Sequence, residues 1–240
     1  MIYPAFMNPF DPQKTPVVFF DFDNTITARD VLDDMLVRFS INATWRGLEE
    51  KWKRGKISTL ACLEGQIKGI RITKQDLDKW LSSVKLDPSF VDVIAFLESQ
   101  KISVMVLSDN FDYIVKKIFR NHGITNLPVF ANKVDFDEDR LIPHFPFRNK
   151  DCKVCAHCKR KTLLSNVIGG SLSIFIGDGL SDMCPAKCAD IVFAKGNLLA
   201  YLRTHKITHT PFKTLKDVYR HLKGALAPVA YAQEAAANSR

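Results

Sequence analysis

Three apolar runs in this chain end the same way. VVFF (17–20) runs into Asp21, VMVL (104–107) runs through Ser108 into Asp109, and SIFI (173–176) runs through Gly177 into Asp178. Each run is four residues long and rich in β-branched or aromatic residues, which predicts buried strands at 16–21, 102–107 and 172–176. Shorter strand signals lie at 129–132, 140–145 and 191–194. Between them the apolar positions recur at helical spacing, which predicts helices near 111–121, 159–168, 196–204 and 213–223. From 29 to 100 the period is helical and no strand interrupts it. Trp45, Leu48 and Trp52 share one helical face there, and Asp87-Pro88 reads as an N-cap with proline at the first helical position. Strands alternating with helices predict an α/β fold around a parallel sheet. The domains expected are an N-terminal arm (1–14), an α/β core (15–28 with 101–224), a helical cap inserted after the first strand (29–100) and an Ala-rich tail (225–240) that is a weak helix or disordered. The chain has no internal repeat.

In a parallel sheet the strand C-termini share one edge, and ligands of open α/β sheets bind outside it. The pattern therefore gathers Asp21, Asp109 and Asp178 into one crevice. Carboxylates packed so closely repel each other unless a cation sits among them. An all-oxygen set suits a hard ion, with Mg²⁺ the usual choice where phosphate is the other ligand. A single aspartate just past a strand is most often a helix cap; three in register are not explained that way.

The motifs that carry these residues resemble those of the haloacid dehalogenase superfamily. Asp21-Phe22-Asp23-Asn24-Thr25 matches its DxDxT motif, Ser108 its second motif, Lys159 its third, and Gly177-Asp178-Gly179-Leu180-Ser181-Asp182 its GDGxxD motif. The match runs from about residue 15 to 225. It implies a Rossmann-like core and a small helical cap of the phosphoserine phosphatase-like branch. It also implies phosphoryl transfer through an aspartyl-phosphate. Asp21 is then the nucleophile. Asp23 is the general acid and base, and its presence favours a phosphatase over the transferases and pumps of the superfamily. Mg²⁺ is implied at the Asp21 carboxylate, the Asp23 backbone carbonyl and Asp178, with Asp182 orienting a metal-bound water. Thr25, Ser108, Asp109 and Asn110 are the expected substrate-binding residues, Ser108 donating to a phosphate oxygen. Lys159 neutralises the phosphoryl charge, with Lys161 as its rival.

The second motif departs from the Ser-Gly-Gly of phosphoserine phosphatases. Ser108-Asp109, the Cys158-Lys159 pair and the Asp182-Met-Cys-Pro185 ending are similar to phosphoethanolamine and phosphocholine phosphatases. The cap and the Cys-x-x-Cys-Lys loop are similar to methionine-salvage phosphatases that act on a methylthio-ketopentenyl phosphate. Asp109 either recognises an amine or hydroxyl of the substrate or caps the next helix. In the cap, Asp30 is the one residue carried as a candidate for substrate contact; Asp33 and Asp34 read as helix-start acids.

Composition narrows the partners. Lys plus Arg number 34 against 26 acidic residues, a net charge of +8, which is compatible with an anionic ligand. The basic residues lack the aromatic interleaving of a nucleic-acid surface. No stretch approaches the ~20 apolar residues of a membrane span, and the first residues do not resemble an export signal. The expected setting is the cytoplasm, the expected partner a small phosphorylated metabolite, with neither nucleic acid nor membrane. Cys62, Cys152, Cys155, Cys158, Cys184 and Cys188 then read as reduced thiols. Two clusters, 152–158 and 184–188, could meet at the sheet edge and hold zinc, although the paired CxxC…CxxC pattern is absent and Cys158 adjoins Lys159. Two other classes stay open: a basic binding module on a catalytic scaffold, and a carbon–phosphorus hydrolase, which needs a cap lysine that nothing singles out.

Overall fold

The computed structural model describes residues 14–237. Seven strands form one sheet in the order β4-β3-β2-β1-β5-β6-β7: β1 Pro16–Phe20, β2 Ser103–Phe111, β3 Val129–Asp137, β4 Arg140–His144, β5 Leu172–Gly177, β6 Ile191–Ala194 and β7 Thr210–Pro211. All pairings are parallel except β3 with β4. The chain builds outward from β1 to β4, then returns to lay β5 on the other side of β1. The order therefore reverses at β1, the central strand, where a ligand crevice forms.

The strands are apolar because both faces are covered. Alternate residues of β1 serve different faces. Val17 and Phe19 pack with Phe175 of β5 and with Leu163, Leu198 and Leu202, from helices α7 (Lys159–Asn166) and α9 (Gly196–Thr204). Val18 and Phe20 join the larger cluster with Phe90, Ile114, Val218 and Leu222, from α5 (Phe90–Ser99), α6 (Asp112–Asn121) and α10 (Leu215–Ala237). Phe20 meets Phe90 edge-on at 5.6 Å, and Phe90 stacks on Phe119 at 5.9 Å. Burying each such ring stabilises the fold by about 1.5–3 kcal/mol.

Between β1 and β2 lie α1 (Val31–Phe39), α2 (Thr44–Lys53), α3 (Thr59–Lys68), α4 (Lys74–Leu81) and α5. Asp30, Ser58 and Thr73 cap α1, α3 and α4 by accepting from the N–H groups of Asp33, Ala61 and Asp76, as short polar side chains do at helix starts. The expected cap at Asp87 is not formed. Ser89 is the N-cap of α5 and makes no side-chain bond. Asp87 instead accepts from Ser89 N at 2.9 Å and from Leu215 N at 3.1 Å, pinning α5 to the start of α10. The helix α5 thus packs on the sheet beside β2 and α10, whereas α1–α3 supply residues to the cavity at the C-terminal edge of the strands. The Ala-rich segment to residue 237 continues α10. The predicted arm falls outside the described residues except at Lys14, as do the last three of the tail. Among the described residues, no helix is long and apolar enough to cross a membrane.

Candidate active site

The floor of the site is the C-terminal edge of β2, β1 and β5. Asp21 continues β1, its N–H bonded to Ile176 O at 2.8 Å. Phe22 turns down into the core against Phe119, so Asp21 and Asp23 both face the crevice. Asn24 then takes a left-handed φ of 55°, which asparagine tolerates, and starts the turn that leads to α1.

Across the edge, Gly177 and Asp178 end β5. Asp182, in the short 3₁₀ turn Leu180–Asp182, folds back so that its Oδ2 accepts from Asp178 N and Gly179 N, each at 3.0 Å. That fold-back explains Gly177: a Cβ there would lie 2.6 Å from Asp182 Oδ2. Lys159, the first residue of α7, is 2% exposed. Its ammonium bridges Asp21 and Asp182, the latter at 2.8 Å, and donates to Ser181 Oγ at 3.3 Å. Thr25 donates to Asp178 Oδ1 at 3.0 Å. Asp21, Asp178 and Asp182 each offer an oxygen within 4.8 Å of the others. Burial and the charge of Asp182 push Asp21 well above the usual carboxylate range and lift Asp178 to about 6. Burial opposes the charge on Lys159, but Asp182 and Asp21 outweigh it and hold the ammonium protonated. One lysine among three carboxylates leaves a negative remainder, and an all-oxygen set with that remainder fits a hard divalent cation.

The third strand contributes through a bulge. Pairing between β2 and β3 runs regularly to Ser108↔Ala131 and resumes at Phe111↔Asn132, leaving Asp109 and Asn110 without ladder partners. Side chains satisfy the displaced backbone: Ser108 Oγ accepts from Asn110 N, Asn110 Oδ1 from Phe111 N, and Asn132 Nδ2 donates to Asp109 O. Bulges of this kind re-aim side chains at sites. Here Asn110 Nδ2 reaches both oxygens of Asp23, at 3.2 and 3.1 Å. Asp23 Oδ1 also accepts from Val31 N, the first residue of α1, at 2.9 Å. Burial, then the charge of Asp30, raises Asp23 well above its ordinary value. Asp109 does not cap α6; its carboxylate accepts from His157 N at 3.2 Å.

Above the floor, α1–α3 wall a cavity that is partly open to solvent, with about 980 Å³ of empty space counting its open mouth. Asp30, Asp33, Glu49, Trp52, Lys53 and Gln66 line it, together with Asp109. Burial and neighbouring Asp30 raise Asp33 to about 7. Lys53 pairs with Glu49, so the roof is net acidic.

A family model described as "Putative Phosphatase" matches residues 16–215. The chain belongs to this phosphatase family. It is a phosphatase of the haloacid dehalogenase superfamily and a phosphoric monoester hydrolase. Curated relatives include the 2-hydroxy-3-keto-5-methylthiopentenyl-1-phosphate phosphatases of Brevibacillus brevis, 27% identical over 88% of this chain and 96% of the relative, and of Bacillus cereus, 27% identical over 87% and 96%. Among solved structures, a phospho-aspartyl intermediate analogue of phosphoserine phosphatase superimposes with a TM-score of 0.68 at 18% identity, covering 87% of this chain and 98% of that one. This confirms the α/β fold expected from the strand pattern.

In this phosphatase, not every expected residue opens on the cavity. Asp21, Asp23, Asp109, Asn110, Lys159 and Asp178 line it. Thr25, Ser108 and Asp182 are fully buried and lie behind the lining. Lys161, the rival of Lys159, lines a separate groove with Phe130 and Phe147. Sequence reasoning missed His157, 2% exposed, whose ring contacts Ser108 O at 3.0 Å and Thr162 Oγ1 at 2.8 Å. It ties the second motif to the helix of the third. No periodicity signals such a cross-link.

Proposed function

We propose that the chain is a Mg²⁺-dependent phosphomonoesterase acting on a small phosphorylated metabolite, with Asp21 as nucleophile. The observation that carries this is the convergence of Asp21, Asp178, Asp182 and Lys159 on one buried floor beneath a partly open cavity. An Asp21 oxygen attacks phosphorus in line, and the P–O bond to the leaving alcohol breaks. Asp23, on the same strand end, gives its proton to that oxygen. It then takes one from the water that cleaves the aspartyl-phosphate, and inorganic phosphate leaves. Asn110 and the α1 N–H hold Asp23 in place for both steps. The ammonium of Lys159 balances phosphoryl charge throughout. Asp21, Asp178 and the Asp23 backbone carbonyl would hold Mg²⁺, with Asp182 behind them. The ion supplies further charge neutralisation at the phosphoryl oxygens. Ser108, held beside Asn110 N, fixes the bulge that frames the phosphate.

We assign α1–α4 to the cap and α5 to the core, on the packing of α5 against the sheet. The relatives' substrate, 2-hydroxy-3-keto-5-methylthiopentenyl-1-phosphate, is the first candidate. It is supported by the near-complete coverage of those relatives. A second reading is an amino-alcohol phosphate such as phosphoethanolamine or phosphocholine. The net acidic roof of Asp30, Asp33 and Glu49 favours it. All six cysteines are free thiols, which supports the cytoplasm as the compartment.

Phosphate release with Mg²⁺ should be measured on both substrates, on phosphoserine and on an aryl phosphate, with Asp21→Asn alongside. Turnover abolished by Asp21→Asn supports the mechanism, and the best substrate selects the reading. Turnover surviving in Asp21→Asn would sink it.

A further inference from the structure

The roof of the cavity holds one buried polar group that nothing in the fold uses. Thr59, Cys62, Leu63 and Gln66 line the cavity from α3. Their spacing, three and four residues apart, puts them on one face of the helix. The neighbouring Ile67 goes instead into the main core. Close packing of Gly65 on α2 holds the helix in this rotation: a Cβ there would lie 2.7 Å from Leu48 Cδ1. Cys62 and Leu63 are buried, yet they and Trp52 of α2 join neither core cluster. Their apolar surface is turned to the cavity.

Most polar groups on the lining have partners. Trp52 Nε1 donates to Thr59 Oγ1 at 3.0 Å, Asp30 caps its own helix and Glu49 pairs with Lys53. In the turn 179–181, which leads into α8 (Met183–Ala186), Ser181 accepts from Lys159. Of the lining amides, Asn110 is bound to Asp23, Asn24 is half-buried and Asn197 is exposed. Gln66 differs from all of these. It is 4% exposed, and among the described residues its side chain has no hydrogen-bond partner. Neither its oxygen nor its nitrogen is sealed off from the cavity. A buried amide without a partner costs stability, and an apolar side chain of similar size would fill the position without that cost. A molecule in the cavity is the partner left to it.

We propose that Gln66 is a specificity-determining residue that reads an uncharged oxygen, a hydroxyl or a carbonyl, on the carbon chain of the substrate. The proposal rests on the phosphatase reading above and adds to it the class of the leaving alcohol. A carboxamide donates through its N–H₂ and accepts at its oxygen. A hydroxyl matches both roles and a carbonyl the first. A trimethylammonium head matches neither, having no N–H and no lone pair. A carboxylate would face the acids of the roof, Asp30, Asp33 and Glu49. Beside the amide, Trp52, Cys62 and Leu63 give the CH₂ groups of the chain an apolar wall. The cavity thus fits a short, uncharged chain that carries a hydroxyl or keto oxygen, with its phosphate at the floor.

The test uses phosphonates, which bind without being hydrolysed: pentyl phosphonate and the hydroxypentyl phosphonates that carry one hydroxyl along the chain. Calorimetry on the full-length protein with Mg²⁺ should show at least one hydroxypentyl phosphonate bound about 10-fold more tightly than pentyl phosphonate. Gln66→Leu should bring the two within about 2-fold of each other while keeping the affinity for pentyl phosphonate. Phosphate release from the corresponding phosphate esters should follow the same order in kcat/KM. The phosphonate arm needs no turnover. Absence of hydrolysis with the affinity ratio intact would therefore refute the phosphatase reading and still support the role of Gln66. Equal affinities in the parent, no binding of either ligand, a ratio that survives Gln66→Leu, or an equal loss of both ligands in that variant would overturn the inference.

Discussion

The floor and the roof of the cavity are both acidic, and they are built in opposite ways. On the floor every carboxylate is bound by name. Asp21 and Asp182 share Lys159, Asp178 takes Thr25, and Asp23 takes Asn110 and Val31 N. On the roof the acids rest on helix surfaces. Asp30 spends its carboxylate on its own helix start, Glu49 holds the side chain of Lys53 one turn away on its own helix, and Asp33 pairs with neither. Over-determined groups hold a fixed geometry for chemistry. Lightly held groups can follow a ligand. The difference teaches that the same acidic residue type can build a fixed floor and a lightly held roof in one cavity.

Substitutions can break that division, and the floor should respond most. Asp21→Asn removes the proposed nucleophile and should lower kcat by more than about 10³-fold on every substrate, measured as phosphate release. Lys159→Met leaves Asp21 and Asp182 facing each other without a cation. It should cost about 10²–10³-fold in kcat, with little change in relative preference among substrates. Gly177→Ala forces a Cβ onto Asp182 and should destabilise the fold by about 1–3 kcal/mol, read as a lower denaturant midpoint. A roof substitution should behave otherwise. Asp33→Asn should leave kcat within about 3-fold but shift KM for amino-alcohol phosphates relative to neutral ones by about 10-fold. A uniform loss of kcat across substrates would place Asp33 with the floor and erase the distinction.

The smallest effect is on stability against pH. Asp33 is raised to about 7 in the folded chain. Its contribution is therefore fully present below its ordinary carboxylate value and lost as pH rises through 7. Asp33→Asn removes that loss. The stability of the variant relative to the parent should climb between pH 4 and pH 8, by about 1 kcal/mol or less because Asp33 is only partly shielded and solvent screens its charge. Thermal melts at the two pH values check the sign.

Much of the floor was legible in the sequence because it depends on strand ends. A run of buried residues must stop somewhere, and in a parallel sheet the stops align. The positions of Asp21, Asp178 and Lys159 follow from that rule and from motif order. What stayed hidden depends on contacts without a period. Asp87 looked like a helix cap and is a tie between α5 and α10, because Leu215, 128 residues away, competes for its carboxylate. Asp109 read equally as a cap or a ligand, and the structure gives it His157. The roof was unreadable for a related reason: helical spacing says which face of α1–α3 is apolar, but not which acids the tertiary packing turns toward one cavity.

The bulge in β2 carries a consequence for descent. Two residues, 109 and 110, are inserted between Ser108↔Ala131 and Phe111↔Asn132, and the register shifts across them. The sheet does not read them, since their backbone groups are satisfied by Ser108, Asn132 and the Asn110 side chain itself. Residue 109 lines the cavity and its side chain takes no part in the ladder, so a change there spares the strand pairing while giving up the contact with His157 N. A lineage built on this sheet can change one side chain at the cavity wall by editing a strand that has room for the edit.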